Sequence, residues 1–335
     1  MRQSKACEAI ITNSQYTKKD LLKYYPNLDN QKIYPIHLAS QQCKTALDPA
    51  IVDKYLPNDW RDRGYIIYLG GALTQNKNSL GVLEAYYKFT QIVSEGQQGR
   101  QLNESGSGHE NASVINSELV NKGEDGSVNE SGNDADNGSN TSNKADNRIK
   151  NKPRNDVVYE LNTNNKTDNR TEDEPGKSNE PESFPYLAIA GTAFTKEDDP
   201  RLNQLHEYIT QKGLDGDVIF TGYYEDEDKF QLLKGAITFI HLSTYEGFGL
   251  PVLEALTAGV PVIAHNGTTY PEIIADAGIL VDGTDSSATA EQIYRLHKDA
   301  ELRQKYAQKA KARAAKFSWE KTAQETLKVL RSIDM

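Results

Sequence analysis

Ile237-Thr-Phe-Ile-His-Leu-Ser-Thr-Tyr-Glu-Gly-Phe-Gly-Leu-Pro-Val-Leu-Glu-Ala-Leu-Thr-Ala-Gly-Val-Pro-Val-Ile-Ala264 is the stretch on which the fold turns. Residues 237–242 are apolar along almost their whole length, as a strand buried on both faces must be. A loop with two glycines follows at 243–249. Residues 250–258 then read as a helix, with Pro251 in the first turn, where a missing N–H costs nothing. Residues 260–264 are a second apolar strand. Strand, loop, helix, strand in so few residues is the signature of a parallel sheet with helices packed on it.

The same alternation extends outward in both directions. Tyr65-Ile-Ile-Tyr-Leu69 is a short apolar run ending at Gly70-Gly71, and residues 79–94 follow with Leu80, Leu83, Tyr87 and Val93 near helical spacing. Tyr186-Leu-Ala-Ile-Ala190, Asp217-Val-Ile-Phe-Thr221 and Ile279-Leu-Val281 read as further strands. Residues 201–212, 225–234, 270–275, 286–299 and 300–315 read as helices. Ser318 is placed to N-cap a last helix with Trp319, Ala323, Leu327 and Leu330 along one face. The expected fold is α/β, a doubly wound parallel sheet of Rossmann-like kind. Ligands of such sheets bind beyond the carboxyl ends of the strands. The segments at those ends are Gly70-Gly71, Gly222-Tyr223, 243–249 and 265–269.

Two stretches stand apart. Residues 97–184 are rich in Asn, Asp, Glu, Ser, Gly and Lys, with apolar residues scattered without period, and are expected to be a disordered low-complexity insert. Their 17 acidic and 10 basic residues supply −7 of the chain's net charge of −10. The remaining −3 is ordinary, and no basic patch of the kind nucleic acid requires is present. Asn-x-Ser/Thr triplets such as Asn103-Glu-Ser105 arise by chance in such a tract. Residues 1–46 read as one strand–helix–strand unit, with strands at 8–12 and 32–38 and a helix at 17–25. Such a unit is too small for a core of its own and is expected to be the end of a second α/β domain. The two cysteines, Cys7 and Cys43, lack metal-ligand spacing and are expected to be free thiols. No apolar run approaches the ~20 residues that span a membrane, and a cytoplasmic setting is expected.

The chemistry concentrates in Glu246-Gly-Phe-Gly-Leu-Pro-Val-Leu-Glu254. Glycines let backbone approach a ligand closely, and the free N–H groups at a helix N-terminus form an anion site suited to a diphosphate. Two glutamates beside an anion site suit a ligand that also offers hydroxyls, because ionised carboxylates only accept hydrogen bonds. The plainer reading is a helix start with two surface glutamates.

Residues 184–333 resemble the donor domain of the retaining GT-B glycosyltransferases called family 4 (glycosyl transferases group 1). The resemblance rests on the Glu-x7-Glu pair at Glu246 and Glu254 with Gly-Phe-Gly-Leu-Pro between them. It extends to Ala258-Gly-Val-Pro-Val-Ile263, Pro271-Glu-Ile-Ile274, Asp276-Ala-Gly-Ile-Leu-Val-Asp282 and Phe317-Ser-Trp319, and upstream to Gly70-Gly71 and Lys77-Asn78. It implies a donor domain at 47–96 and 185–317, a C-terminal helix at 318–335, and a chain that lacks most of an N-terminal acceptor domain. It also implies transfer of a hexose, mannose among the candidates, from a GDP- or UDP-linked sugar to a glycan or lipid-linked acceptor. The anomeric configuration would be kept, with no metal or other cofactor, and association with the inner face of a membrane would be peripheral. By the same resemblance Glu246 is catalytic, touching the transferred sugar, and Glu254 accepts from the ribose. The amides of Phe248, Gly249 and Leu250 hold sugar and diphosphate, Gly71 and Asn76 belong to the phosphate loop, Lys77 neutralises the leaving phosphate, and Tyr223 sits near the base.

The chain departs from the family where many members carry Arg-Lys and this one has Asn76-Lys77; a second arginine near Ala72 is also missing. His241 is expected to be a core histidine, His265 to face the cleft rim, and His37 and His206 to be incidental. A nucleotide-sugar-binding module without transferase activity stays open as an alternative, as does an epimerase or phosphorylase on the same fold.

Overall fold

The computed structural model describes residues 7–43, 45–70, 73–105, 183–195 and 199–333, with backbone alone for 97–105. They fall in one compact unit.

Six parallel strands form the main sheet: β3 (Tyr65–Leu69), β4 (Tyr186–Ala190), β5 (Val218–Gly222), β6 (Thr238–His241), β7 (Val262–His265) and β8 (Ile279–Val281), in the spatial order β5-β4-β3-β6-β7-β8. The order runs outward in both directions from the β3–β6 pair, where Ile66 faces Thr238 and Ile67 faces Phe239. That pair is the topological switch point, where the loops leaving adjacent strands diverge and open a crevice. The doubly wound α/β sheet is as the alternation predicts.

Alternation along β3 shows why the strand is apolar throughout. Tyr65, Ile67 and Leu69 enter one core and Ile66 and Tyr68 the other, and all five are buried. The first face is covered by α6 (Asp226–Lys234), α7 (Leu250–Ala258) and α10 (Ala300–Ala314), and the second by α4 (Ser79–Ser105), α5 (Pro200–Lys212) and α9 (Ser286–Lys298). Burying a Leu, Ile or Phe side chain contributes about 1.5–3 kcal/mol, so a polar residue on either face of β3 would cost more than its exposed counterpart.

Residues 10–35 make a separate two-stranded parallel sheet, β1 (Ile10–Thr12) with β2 (Ile33–Pro35), joined by α1 (Gln15–Tyr24). These elements belong to the same compact unit as the main sheet. Both strands are shorter than the apolar runs suggest. Two one-turn helices, α2 (Pro49–Val52) and α3 (Trp60–Arg63), bridge to β3; α2 carries a readable start in Asp48, whose side chain accepts from Ala50 N at 3.0 Å, and Pro49.

Two expectations are revised. The helix expected at 79–94 continues to Ser105, so the insert does not begin at 97; the reading of 106–182 as insert lies outside the described residues. Gly71 also lies outside them, as does Ala72. In α11 (Trp319–Ile333), Ser318 caps as expected, accepting from Lys321 N at 3.1 Å. Its Trp319, Leu327 and Leu330, however, are about half exposed, while Val329 is buried. The short α8 (Tyr270–Ile274) completes the elements around the switch point. Among the described residues no helix is long and apolar enough to cross a membrane.

Candidate functional site

The loops after β3 and β6 meet at the switch point. Thr244 N donates to Asn76 O at 2.8 Å and Asn76 Nδ2 to Tyr245 O at 3.2 Å, tying the 3-10 turn at Gln75–Lys77 to the glutamate loop. Tyr68, buried at the floor, shares a hydrogen bond with Ser79 Oγ at 3.0 Å and donates to Lys77 O at 3.3 Å. Burial pushes its phenol up to about 12, so it stays a neutral donor.

α7 begins with Gly249 in the left-handed region at φ 84°, and a Cβ there would stand 2.8 Å from Tyr270 Cε1. Gly249 O closes the first turn by accepting from Val252 N at 3.0 Å and Leu253 N at 3.2 Å. Among the described residues the amides of Phe248, Gly249 and Leu250 have no hydrogen-bond partner, which leaves donors at the positive end of the helix dipole. The Phe248 side chain points inward, against His37 and Phe317, so only its backbone faces the crevice.

Each glutamate meets a lysine. Lys77 Nζ pairs with Glu246 Oε1, and Lys229 Nζ pairs with Glu254 Oε1 at 2.6 Å. Burial opposes the charge on Glu246, but hydrogen bonds from His241 and Lys77 outweigh it and hold the carboxyl at about 2. Glu246 is therefore a carboxylate at neutral pH, an acceptor with Oε2 uncommitted among the described residues. Lys229 escaped the sequence reading. It lies 25 residues from Glu254 on another helix, and no local spacing joins them.

The N-terminal unit grips this loop from the side. Gly247 O accepts from Ser14 Oγ at 2.7 Å and Thr17 Oγ1 at 2.9 Å, and Tyr245 OH donates to Asp20 Oδ2 at 2.5 Å. Glu272 of α8 caps α1, accepting from Gln15 N at 2.9 Å and Tyr16 N at 3.2 Å, and contacts His37 Nε2 at 2.5 Å. Burial of Glu272 is outweighed by these bonds, and its carboxyl lies below the usual range. His37 is thus not incidental: it packs between Phe248 and Phe317 and joins α8 to the chain after β2. A contact 235 residues apart in sequence leaves no local signal.

The other histidines have plain roles. His265 Nδ1 accepts from Gly283 N at 2.9 Å, pinning the loop after β8, and His206 packs on Phe220. Tyr223 is exposed beyond β5, its hydroxyl 3.0 Å from Glu225 Oε2. Asn76, expected in the phosphate loop, gives one Nδ2 hydrogen to Tyr245 O and keeps the other. Among the described residues no group of three or more His, Cys, Asp or Glu side chains converges as metal ligands would.

A glycine-started helix of nine residues with free amides and two glutamates, each paired with a lysine, set at the switch point, fits a ligand with both diphosphate and hydroxyl groups. Residues 181–313 match the family model of glycosyl transferases, group 1. This supports the glycosyltransferase family for that segment. Over 130 residues the chain is 39% identical to O-antigen chain mannosyltransferase B of Escherichia coli, a match covering 39% of this chain and 33% of that protein. It is 32% identical over 131 residues to D-inositol 3-phosphate glycosyltransferase of Corynebacterium urealyticum, covering 38% of this chain and 31% of that one. The fold resembles that of HepE from Anabaena, solved with UDP and glucose, at a TM-score of 0.60 and 17% identity, covering 97% of this chain and 64% of that one. The matched segment thus spans about a third of the length of these two relatives. The α/β fold is that of GT-B glycosyltransferases.

Proposed function

We propose that this chain binds a nucleoside-diphosphate sugar and transfers its hexose, with retention of configuration and without a metal, to a glycan or lipid-linked acceptor. The single observation that carries this reading is the pair Glu246 and Glu254 on either side of the unpartnered amides at the start of α7. Mannose is the preferred sugar of this reading, because mannosyltransferases of Escherichia coli are among the relatives. GDP and UDP both remain candidate carriers, and HepE was solved with UDP.

In this reading the amides of Phe248, Gly249 and Leu250 and the helix dipole receive the diphosphate, and Lys77 turns from Glu246 towards the leaving phosphate. Glu246 accepts from hydroxyls of the transferred sugar, Glu254 from the ribose, and Tyr223 lies near the base. Charge develops on the diphosphate as the glycosidic bond breaks, and each preorganised donor aimed there is worth about 3–4 kcal/mol. Without the family's arginine, Lys77 and the helix terminus are the donors on which stabilisation rests.

Isothermal titration with GDP and UDP tests the reading, and absence of binding by either would end it. A second reading, a binding module without transferase activity, is favoured by one observation: the neutral Asn76, tied to Tyr245 O, stands where the resemblance leads one to expect a cation. Donor hydrolysis or transfer that disappears in Glu246→Ala would remove this second reading.

A further inference from the structure

His241, the last residue of β6, lies beneath the glutamate loop and is 1% exposed. Its ring is stacked on Phe239 with centroids 5.7 Å apart, meets Tyr270 edge-on at 5.7 Å and lies 6.1 Å from Tyr68. Nε2 stands 3.4 Å from Glu246 Oε1, while Nδ1 is buried without a hydrogen-bond partner. An orphaned ring nitrogen costs free energy that a leucine or phenylalanine would avoid. A ring this tightly walled, with its one polar contact on Glu246, is placed for that contact rather than for packing.

The groups that face the ring are Glu246 from its loop, Lys77 from the 3-10 turn, Tyr68 from β3 and Tyr270 from α8. Burial pushes the imidazole pKa down, and the nearby Glu246 only partly offsets this. A neutral imidazole carries one N–H, and the acceptor lies at Nε2, so the proton belongs there. Separation at the long end of hydrogen-bond range is common in unliganded sites and shortens on binding.

We propose that His241 is a positioning residue: its Nε2–H holds Oε1 of Glu246 from below, fixes the plane of the carboxylate and presents Oε2 to the donor sugar. This rests on the reading of Glu246 as the sugar contact. Lys77 shares Oε1, so when it turns towards phosphate the imidazole is the group that keeps Glu246 in place.

Long-range 1H–15N spectra of the full chain, with His241→Gln for assignment, read the ring directly. The expected result at pH 7 is a ring that carries a proton on Nε2; a ring protonated at Nδ1 alone overturns the proposal. Activity is followed as hydrolysis of GDP-mannose and UDP-glucose. His241→Phe should lower kcat/KM about tenfold or more, the scale of one hydrogen bond to a charged group. The affinity for GDP or UDP alone should stay unchanged, since the nucleotide does not touch Glu246. His241→Gln, whose amide N–H reaches a similar point, should recover most of the loss. A glutamine variant as impaired as the phenylalanine one, or a phenylalanine variant as active as the wild type, overturns the proposal. If the wild-type chain binds neither GDP nor UDP, the transferase reading fails, while the spectra still decide whether His241 holds Glu246.

Discussion

Lys229 Nζ stands 2.6 Å from Glu254 Oε1, bridging α6 and α7, and this pair repeats the relation of Lys77 to Glu246 at the other side of the helix start. Both carboxylates of the motif therefore have a cation of their own before any ligand arrives. Among the described residues the free amides of α7 are backbone donors left without a partner there. A helix terminus acts as roughly half a unit charge, weaker than the full charge of an arginine.

Removing Lys229 should expose this dependence. Glu254 is 18% exposed, and Lys229→Met leaves its carboxylate without a cation, at a cost of about 1–3 kcal/mol in urea unfolding. Nucleoside-diphosphate affinity should fall as well, because Glu254 loses its fixed orientation. The double variant Lys229→Met with Glu254→Gln should be more stable than the sum of the two single losses. Strict additivity in the unfolding midpoints would show that the pair is not coupled.

Gly249 is held at φ 84° with Tyr270 immediately behind it. Gly249→Ala should cost about 1–3 kcal/mol from the left-handed backbone and the contact with Tyr270 together. Because the same residue opens α7, nucleotide binding should weaken in parallel. Thermal denaturation and titration calorimetry check both effects, and a variant as stable as the wild type would contradict the geometry.

Acid should loosen the fold through Glu246. Its folded pKa of about 2 lies below the ordinary 4.5. A depressed carboxyl contributes stability above its unfolded pKa and loses it as the pH falls towards the folded one. The window is therefore roughly pH 4.5 to 2, and the contribution lost is about 3 kcal/mol at most. In urea unfolding as a function of pH, Glu246→Gln should lack this component and so show a flatter acid limb than the wild type.

Gly247 O takes two hydroxyl donors from the N-terminal unit. Ser14→Ala combined with Thr17→Ala should leave that carbonyl short of partners and destabilise by about 1–3 kcal/mol, with part of the loss due to the missing N-cap of α1. Hydrogen exchange across 245–250 should quicken more than exchange in β3. Equal protection in variant and wild type would mean that α1 does not steady the loop.

Much of the fold was legible because apolar runs and glycine punctuation are local. Residues 250–258 and 279–281 fall where the sequence places them, since Pro251 and Gly259 bound the helix and a fully buried strand must be apolar. The helix after β3 ran further than expected because Gln101-Leu-Asn-Glu-Ser105 has no apolar stripe, and composition alone does not mark its end. α2 and α3 were missed for the opposite reason: one turn is too short for periodicity to show.

The candidate site divides along the same line. The glycines, the free amides of α7 and the two glutamates follow from a single segment, Glu246 to Glu254, because a helix start and its loop are made by neighbours in the chain. Their partners do not. Lys229, His37, Ser14, Thr17 and the approach of His241 to Glu246 depend on which helix lies beside which strand, and on burial that raises the cost of every unmet charge. The sequence by itself thus determined the sheet, the glycine-started turn of α7 and the acidic pair. Only the tertiary structure decided which cations meet those acids and which oxygen of Glu246 remains free, because such pairings are set by packing across many residues of chain and carry no local period.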